Sequence, residues 1–205
     1  MTCDSTTMSC SSSVCGCKAS YTSCEQRCAL NGLACTGNGA AVCGVWDFEV
    51  GGLQGVSLNT QTTGTFKTSA GVSAASVTTA PGGSRAFTVS YNSTDFSTAV
   101  VKIPLCSSRG GIPIYGHVLS ARIRVDAPSG SFILPYFQAF PYDSAGLDPP
   151  ALINELDNSI PPGQWNVITQ TATGGETDST AKELDLKIEL PMGTGTVYVD
   201  DIRIQ

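Results

Sequence analysis

Two groups of acidic residues in this 205-residue chain have spacings that bear on chemistry. In "TVYVDDIRIQ", Thr196 to Gln205, Asp200 and Asp201 sit side by side in a run whose Val197, Val199, Ile202 and Ile204 read as a strand. Adjacent like charges repel and Asp is depleted in strands, so the pair needs a compensating partner. In "KELDLKIEL", Lys182 to Leu190, alternation puts Glu183, Asp185, Lys187 and Glu189 on one face and Leu184, Leu186, Ile188 and Leu190 on the other. Two carboxyl groups about 5 Å apart would serve retaining glycoside hydrolysis. Glu183 and Asp185 fit, but Lys187 holds the third position, and Glu189 is too far from Glu183 at ~3.3 Å per residue. The face therefore reads as solvated, its charges neutralising one another. His117, in "YGHVL", is the single histidine and no Gly-x-Ser-x-Gly elbow accompanies it, which speaks against serine or cysteine hydrolase chemistry. "TGNGAAVCG" has glycines but lacks the spacing of a phosphate-cradling loop.

The elements that must position these residues are strands. "GVWDFEV" alternates Trp46, Phe48 and Val50 against Val45, Asp47 and Glu49, and "RAFTVSYN" alternates Phe87, Val89 and Tyr91 against Thr88 and Ser90. "AVVKIPL" follows as a further strand, and "HVLSARIRVD" turns Leu119, Ala121, Ile123 and Val125 inward with Arg122 and Arg124 outward. "SFILPYFQAFPYD" is hydrophobic on both faces, and "QWNVITQ" follows the Pro161-Pro162-Gly163 turn. Period-two strands between Gly, Pro and Asn turns predict an all-β fold, an antiparallel sandwich. Helix signals are few: "SCEQRCALNG", Ser23 to Gly32, predicts one short helix stopped at Asn31-Gly32, and "ALINELDN", Ala151 to Asn158, one turn or two.

The first 43 residues differ. Eight of the nine cysteines lie there and large apolar side chains are scarce, so this segment must be stapled rather than packed. With no Cys-x-x-Cys and one histidine, a disulfide framework is expected over a zinc site, and with it an oxidising, secreted or cell-surface setting. The odd count leaves one thiol over. Cys106 pairing back into the segment, a free or intermolecular thiol, or a lipid-modified Cys3 each satisfies it. Met1 ahead of Thr2-Cys3 reads as a start standing where a leader was removed. The expected division is a disulfide-rich segment at 1–43 and a β-domain at 44–205. A net charge of -6 argues against a general nucleic-acid partner, and no apolar run reaches the ~18 residues of a membrane span.

Read in order, "WDFEVGGLQG", "GGSRAFTVSY", "GHVLSARIRVD", "GQWNVITQ" and "GTVYVDDIRI" resemble the opening, central and closing strands of jelly-roll carbohydrate-binding modules, over residues ~44–205. In such modules the first and last strands lie side by side and share a structural calcium. The resemblance implies Glu49 and Asp200 as its carboxylate ligands, with Asp201 or Asp47 as further ones. Calcium takes about 6–8 hard oxygens, backbone carbonyls among them. A divalent ion would turn the Asp200/Asp201 repulsion into attraction, and a bulge would let both carboxylates point to use. The alternative is one Asp facing solvent and the other capping a turn.

A sugar-binding face needs aromatic side chains and a few placed polar groups. Tyr136, Gln138, Phe140 and Tyr142 alternate onto one face of their strand, with Arg122, Arg124 and Trp165 expected beside them. Each also has a structural reading: Trp165 and Phe140 as core, and the arginine stems as cover for apolar surface. The resemblance implies a non-catalytic polysaccharide-binding module, calcium-stabilised and secreted. The alternatives are a structural or adhesive extracellular subunit that assembles through protein contacts, and a small glycoside hydrolase or polysaccharide lyase.

Overall fold

The structure, a computed structural model, describes residues 8–11, 14–17, 21–24, 27–30, 45–49, 52–59, 68–105, 112–114, 116–140, 151–152, 159–172, 180–181 and 183–205. At 8–30, 74–75, 112–113, 138–140, 151–152 and 180 it describes the backbone alone. Two hairpins come first: β1 (Met8–Ser11) with β2 (Val14–Cys17), and β3 (Tyr21–Cys24) with β4 (Arg27–Leu30). The helix expected over Ser23–Gly32 is thus a β-hairpin. A helix this short is marginal without packing, whereas the ladder brings Tyr21 opposite Leu30, two of the bulkiest residues of the segment. The disulfide pairing and Cys106 lie outside the described side chains.

The sandwich follows. Its strands are β5 (Val45–Trp46), β6 (Ser57–Leu58), β7 (Val72–Thr79), β8 (Arg85–Ser93), β9 (Ser97–Pro104), β10 (Ile112–Pro113), β11 (Val118–Asp126), β12 (Leu134–Phe140), β13 (Ala151–Leu152), β14 (Asn166–Thr171), β15 (Thr180–Ala181), β16 (Glu183–Leu190) and β17 (Gly193–Ile204). One sheet runs β14-β11-β17-β8-β7, with β5 also on β17; the other runs β13-β12-β16-β9-β6. All pairings are antiparallel. β10 and β15 pair with each other as a separate two-stranded sheet, and in the two layers β17 lies between β11 and β8 and β16 between β12 and β9. This is a jelly-roll sandwich, as expected, and no helix occurs among the described residues. Ala151 and Leu152, expected to begin a helical turn, instead pair with β12 and extend the second sheet.

Alternation sets the core. Leu119, Ala121, Ile123 and Val125 of β11, Phe87, Val89 and Tyr91 of β8, and Leu184, Leu186, Ile188 and Leu190 of β16 are all buried between the sheets, as their spacing predicts. Each large aliphatic side chain so buried stabilises the fold by roughly 1.5–3 kcal/mol. Trp46 and Phe48 are also fully buried, but the strand ends at Trp46 and Phe48 has φ 55°, a left-handed turn of the backbone just before Glu49.

Candidate functional site

The outward face of the second sheet is built from three neighbouring strands. Their register lays Lys102 of β9 beside Asp185 of β16 and Asp185 beside position 138 of β12. The next row is Val100, Lys187 and Tyr136, and the next is Thr98, Glu189 and Leu134. Lys102 Nζ meets Glu183 Oε2 at 3.0 Å, Lys187 Nζ meets Glu189 Oε1 at 3.5 Å, and the Lys187 ammonium lies 5.0 Å from the centroid of the Tyr136 ring. The charges of β16 do neutralise one another, as the sequence suggests. The solvated face does not hold: Asp185 is 0% exposed, and neither of its carboxyl oxygens has a hydrogen-bond partner. Glu183 Oε1 is likewise buried without one. Burial pushes the Asp185 carboxyl up to about 8, with the Glu183 carboxylate adding to the shift and Lys102 opposing it. Alternation alone gives the phase of a side chain, not what covers it. A buried, unpartnered polar group is costly and marks unused hydrogen-bonding capacity.

Arg122, Arg124 and Trp165 are not on this face. "ARIRVD" is β11 of the first sheet and "LPYFQAF" is β12 of the second, so the outward residues of the two strands look away from opposite sides of the sandwich. Tyr136 therefore shares no site with the two arginines or the tryptophan. The side chains of Gln138 and Phe140, and Tyr142 altogether, lie outside the described residues. On the first sheet the Arg122 guanidinium stacks 4.8 Å from the Trp165 ring, with Nη1 3.7 Å from Asp200 Oδ2. Trp165 Nε1 donates to the Pro81 carbonyl at 2.9 Å, and its ring lies 6.4 Å from that of Tyr198. Arg124 Nε donates to Asp126 Oδ1 at 2.8 Å. Trp165 is neither core nor a bare platform, but half-buried and tied at both its nitrogen and its face.

The adjacent carboxylates lie where the sandwich closes. β5 pairs with β17, Trp46 opposite Ile202 and Val45 opposite Arg203, so the first and last strands of the sandwich are neighbours, as the resemblance implies. The β11–β17 register shifts between Ser120 and Arg122, placing an extra residue on β17 at the double Asp. Asp201 takes φ 50°. That bulge separates the two charges: Asp201 Oδ1 receives Arg203 Nε at 2.7 Å and Nη2 at 2.6 Å, while the nearly buried Asp200 accepts the Asp201 N–H at 2.7 Å. Burial raises Asp200 to about 6; the Asp201 N–H bond and Arg122 oppose this, and the carboxylates of Asp201 and Glu49 reinforce it. Glu49 Oε1 accepts the Arg85 N–H at 3.1 Å, and Asp47 Oδ1 accepts Gln54 Nε2 at 3.2 Å. Among the described residues no three His, Cys, Asp or Glu side chains gather as a metal centre. Glu49 and Asp200 nevertheless fit two carboxylate ligands. They repel each other across the closing edge, and each stands next to a residue in left-handed backbone. All four expected ligands have protein partners: Glu49 the Arg85 N–H, Asp200 the Asp201 N–H and Arg122, Asp201 Arg203, and Asp47 Gln54.

No protein-family model and no curated protein matches this chain. Solved structures match its fold. A structure of carbohydrate-binding modules from the β-sandwich superfamily, described for their promiscuous specificity, aligns with TM-score 0.56 and 21% identity over 83% of this chain; the chain spans 64% of that structure's length. A CBM28 module specific for non-crystalline cellulose aligns with TM-score 0.52 and 14% identity over 81% of this chain and 94% of its own. The CBM22-1–CBM22-2 tandem domain of Paenibacillus barcinonensis Xyn10C aligns with TM-score 0.50 and 18% identity over 78% of this chain and 48% of its own. At these identities the likeness is one of fold: the described strands of the sandwich adopt the jelly roll of carbohydrate-binding modules. No helix among the described residues is long and apolar enough to cross a membrane.

Proposed function

We propose that this jelly roll is a non-catalytic polysaccharide-binding module of a secreted or surface protein, and that the outward face of β9, β16 and β12 is where it meets its glycan. One observation carries the reading: the described strands share their jelly-roll fold with solved carbohydrate-binding modules. The face is singled out by Asp185 and Glu183, whose three buried carboxyl oxygens lack a hydrogen-bond partner beside Lys102 and Lys187. Sugar hydroxyls are both donors and acceptors and suit such capacity. Tyr136, expected to offer its ring to a sugar, is only 3% exposed and packs beneath Lys187 instead. A calcium ion held by Glu49 and Asp200, its remaining ligands drawn from backbone carbonyls, would relieve their repulsion and pin the first strand of the sandwich to the last. The secreted setting rests on the cysteine density of residues 1–43.

The test is retention on insoluble polysaccharides and on a glycan array, in calcium and in chelator, with reducing ends assayed in the same incubations. Retention without release of reducing sugar is the expected result. Release of sugar would make the protein an enzyme, with Glu183 and Asp185 the first residues to suspect. Folded protein that retains no glycan would leave the structural or adhesive subunit as the better account.

A further inference from the structure

At one end of the same sheet, where β9 begins, β16 ends and the turn leads into β12, lies a half-open cavity of about 400 Å³ lined by Phe96, Ser97, Thr98, Phe132 and Glu189. Phe96 is 67% exposed and Phe132 52%. Leaving a phenylalanine side chain in water forgoes roughly 1.5–3 kcal/mol of burial, and here two do so around one depression. Neither is loosely placed. The Phe96 N–H donates to Asp95 Oδ1 at 2.7 Å, and the Thr98 N–H donates to Ser69 Oγ at 2.9 Å, fixing the start of β9. The Ser131 hydroxyl donates to the Pro128 carbonyl at 2.6 Å, and the Ser131 N–H to the same carbonyl at 3.3 Å, closing the turn before Phe132. Ser97 is 3% exposed and in phase with the inward Ala99 and Val101, so its hydroxyl faces the core rather than the cavity. Glu189 engages Lys187 through Oε1.

We infer that this cavity is a binding site for a single neutral sugar ring, at the end of a glycan chain or a branch of it, with Phe96 and Phe132 against its C–H faces and Thr98 and Glu189 taking its hydroxyls. The inference rests on the carbohydrate-binding reading and names the ligand class of a second, separate subsite. The chemistry narrows the choice. An apolar ligand would cover the rings but strip water from the polar side of the lining, Thr98 and Glu189, and give it nothing in return. An acidic sugar would bring its charge against Glu189, the one charged group among the described lining residues, in a chain whose net charge is -6. A pyranose combines an apolar face with a hydroxyl edge, and the cavity falls at the lower end of the ~300–1,000 Å³ range of small-ligand sites.

The test is titration of the whole protein with neutral oligosaccharides (cello-, xylo-, galacto- and manno-series) and with oligogalacturonate as the acidic control. Each is repeated on Phe96→Ala and Phe132→Ala, with thermal melting to confirm that each variant is folded. Wild-type protein is expected to bind at least one neutral series, and each phenylalanine variant to bind it at least tenfold more weakly with an unchanged melting temperature. Equal binding by wild type and both phenylalanine variants overturns the subsite while the polysaccharide-binding reading stands. Preference for oligogalacturonate overturns the ligand class. Wild-type protein that binds none of the glycans removes both.

Discussion

The two outer faces of this sandwich carry similar residue types and use them differently. On the first sheet every charged side chain described above has a partner: Arg122 has Asp200 and Trp165, Arg124 has Asp126, and Arg203 has Asp201. On the second sheet Lys102 and Lys187 are paired, yet Asp185 and part of Glu183 are buried with nothing to bond. The first arrangement is what a surface needs to stay folded and soluble. The second spends stability without a structural return, and such expenditure points to a ligand.

The sharpest way to test this contrast is through Asp185. Its folded carboxyl sits near 8 against 3.8 in the unfolded chain. The folded state therefore holds a proton that the unfolded state has lost between those values. Its contribution is intact below pH 3.8 and erodes as pH rises through 8. Asp185→Asn should remove that slope and stabilise the protein at pH 9 by on the order of 3–5 kcal/mol, measured by denaturant unfolding across pH. A flat pH profile in the wild type would show that Asp185 is satisfied after all, and the contrast between the faces would go.

Calcium comes next. At a concentration one hundred times its dissociation constant, an ion that binds only the folded state adds about 3 kcal/mol, so chelator should lower the melting temperature by about 5–10 °C. Glu49→Gln and Asp200→Asn should each abolish the response. Arg122→Ala is the smallest: loss of a half-exposed ion pair and a cation–π contact should cost about 1 kcal/mol of stability and leave glycan retention unchanged. If Arg122→Ala instead removes glycan binding, the functional face is the first sheet.

Much of this was legible in residue phase. The inward rows of β8, β11 and β16 follow directly from alternation, and so does the bulge wanted by two adjacent aspartates. What phase could not show is which layer a strand joins. β11 and β12 are consecutive along the chain yet belong to opposite sheets, and Arg122 and Tyr136 part company for that reason. Nor does alternation show that an outward carboxylate is covered. Phe96 and Phe132 did leave a signal: each is an aromatic residue in polar company just ahead of its strand, in step with the outward residues Thr98 and Lys102, and Leu134 and Tyr136. The hairpin at Tyr21–Leu30 was hidden because Glu25, Gln26 and Ala29 are good helix formers, and intrinsic propensity is weak in so short a stretch.

Because Val45 lies opposite Arg203, the chain enters and leaves the sandwich at the same corner. Tension applied across these two ends would peel β5 from β17 one hydrogen bond at a time, the weakest geometry a ladder offers. The first obstacle behind that short zipper is the place where Glu49 faces Asp200. An ion bridging them would act as a rivet, so that this corner would hold or give way according to the calcium around it.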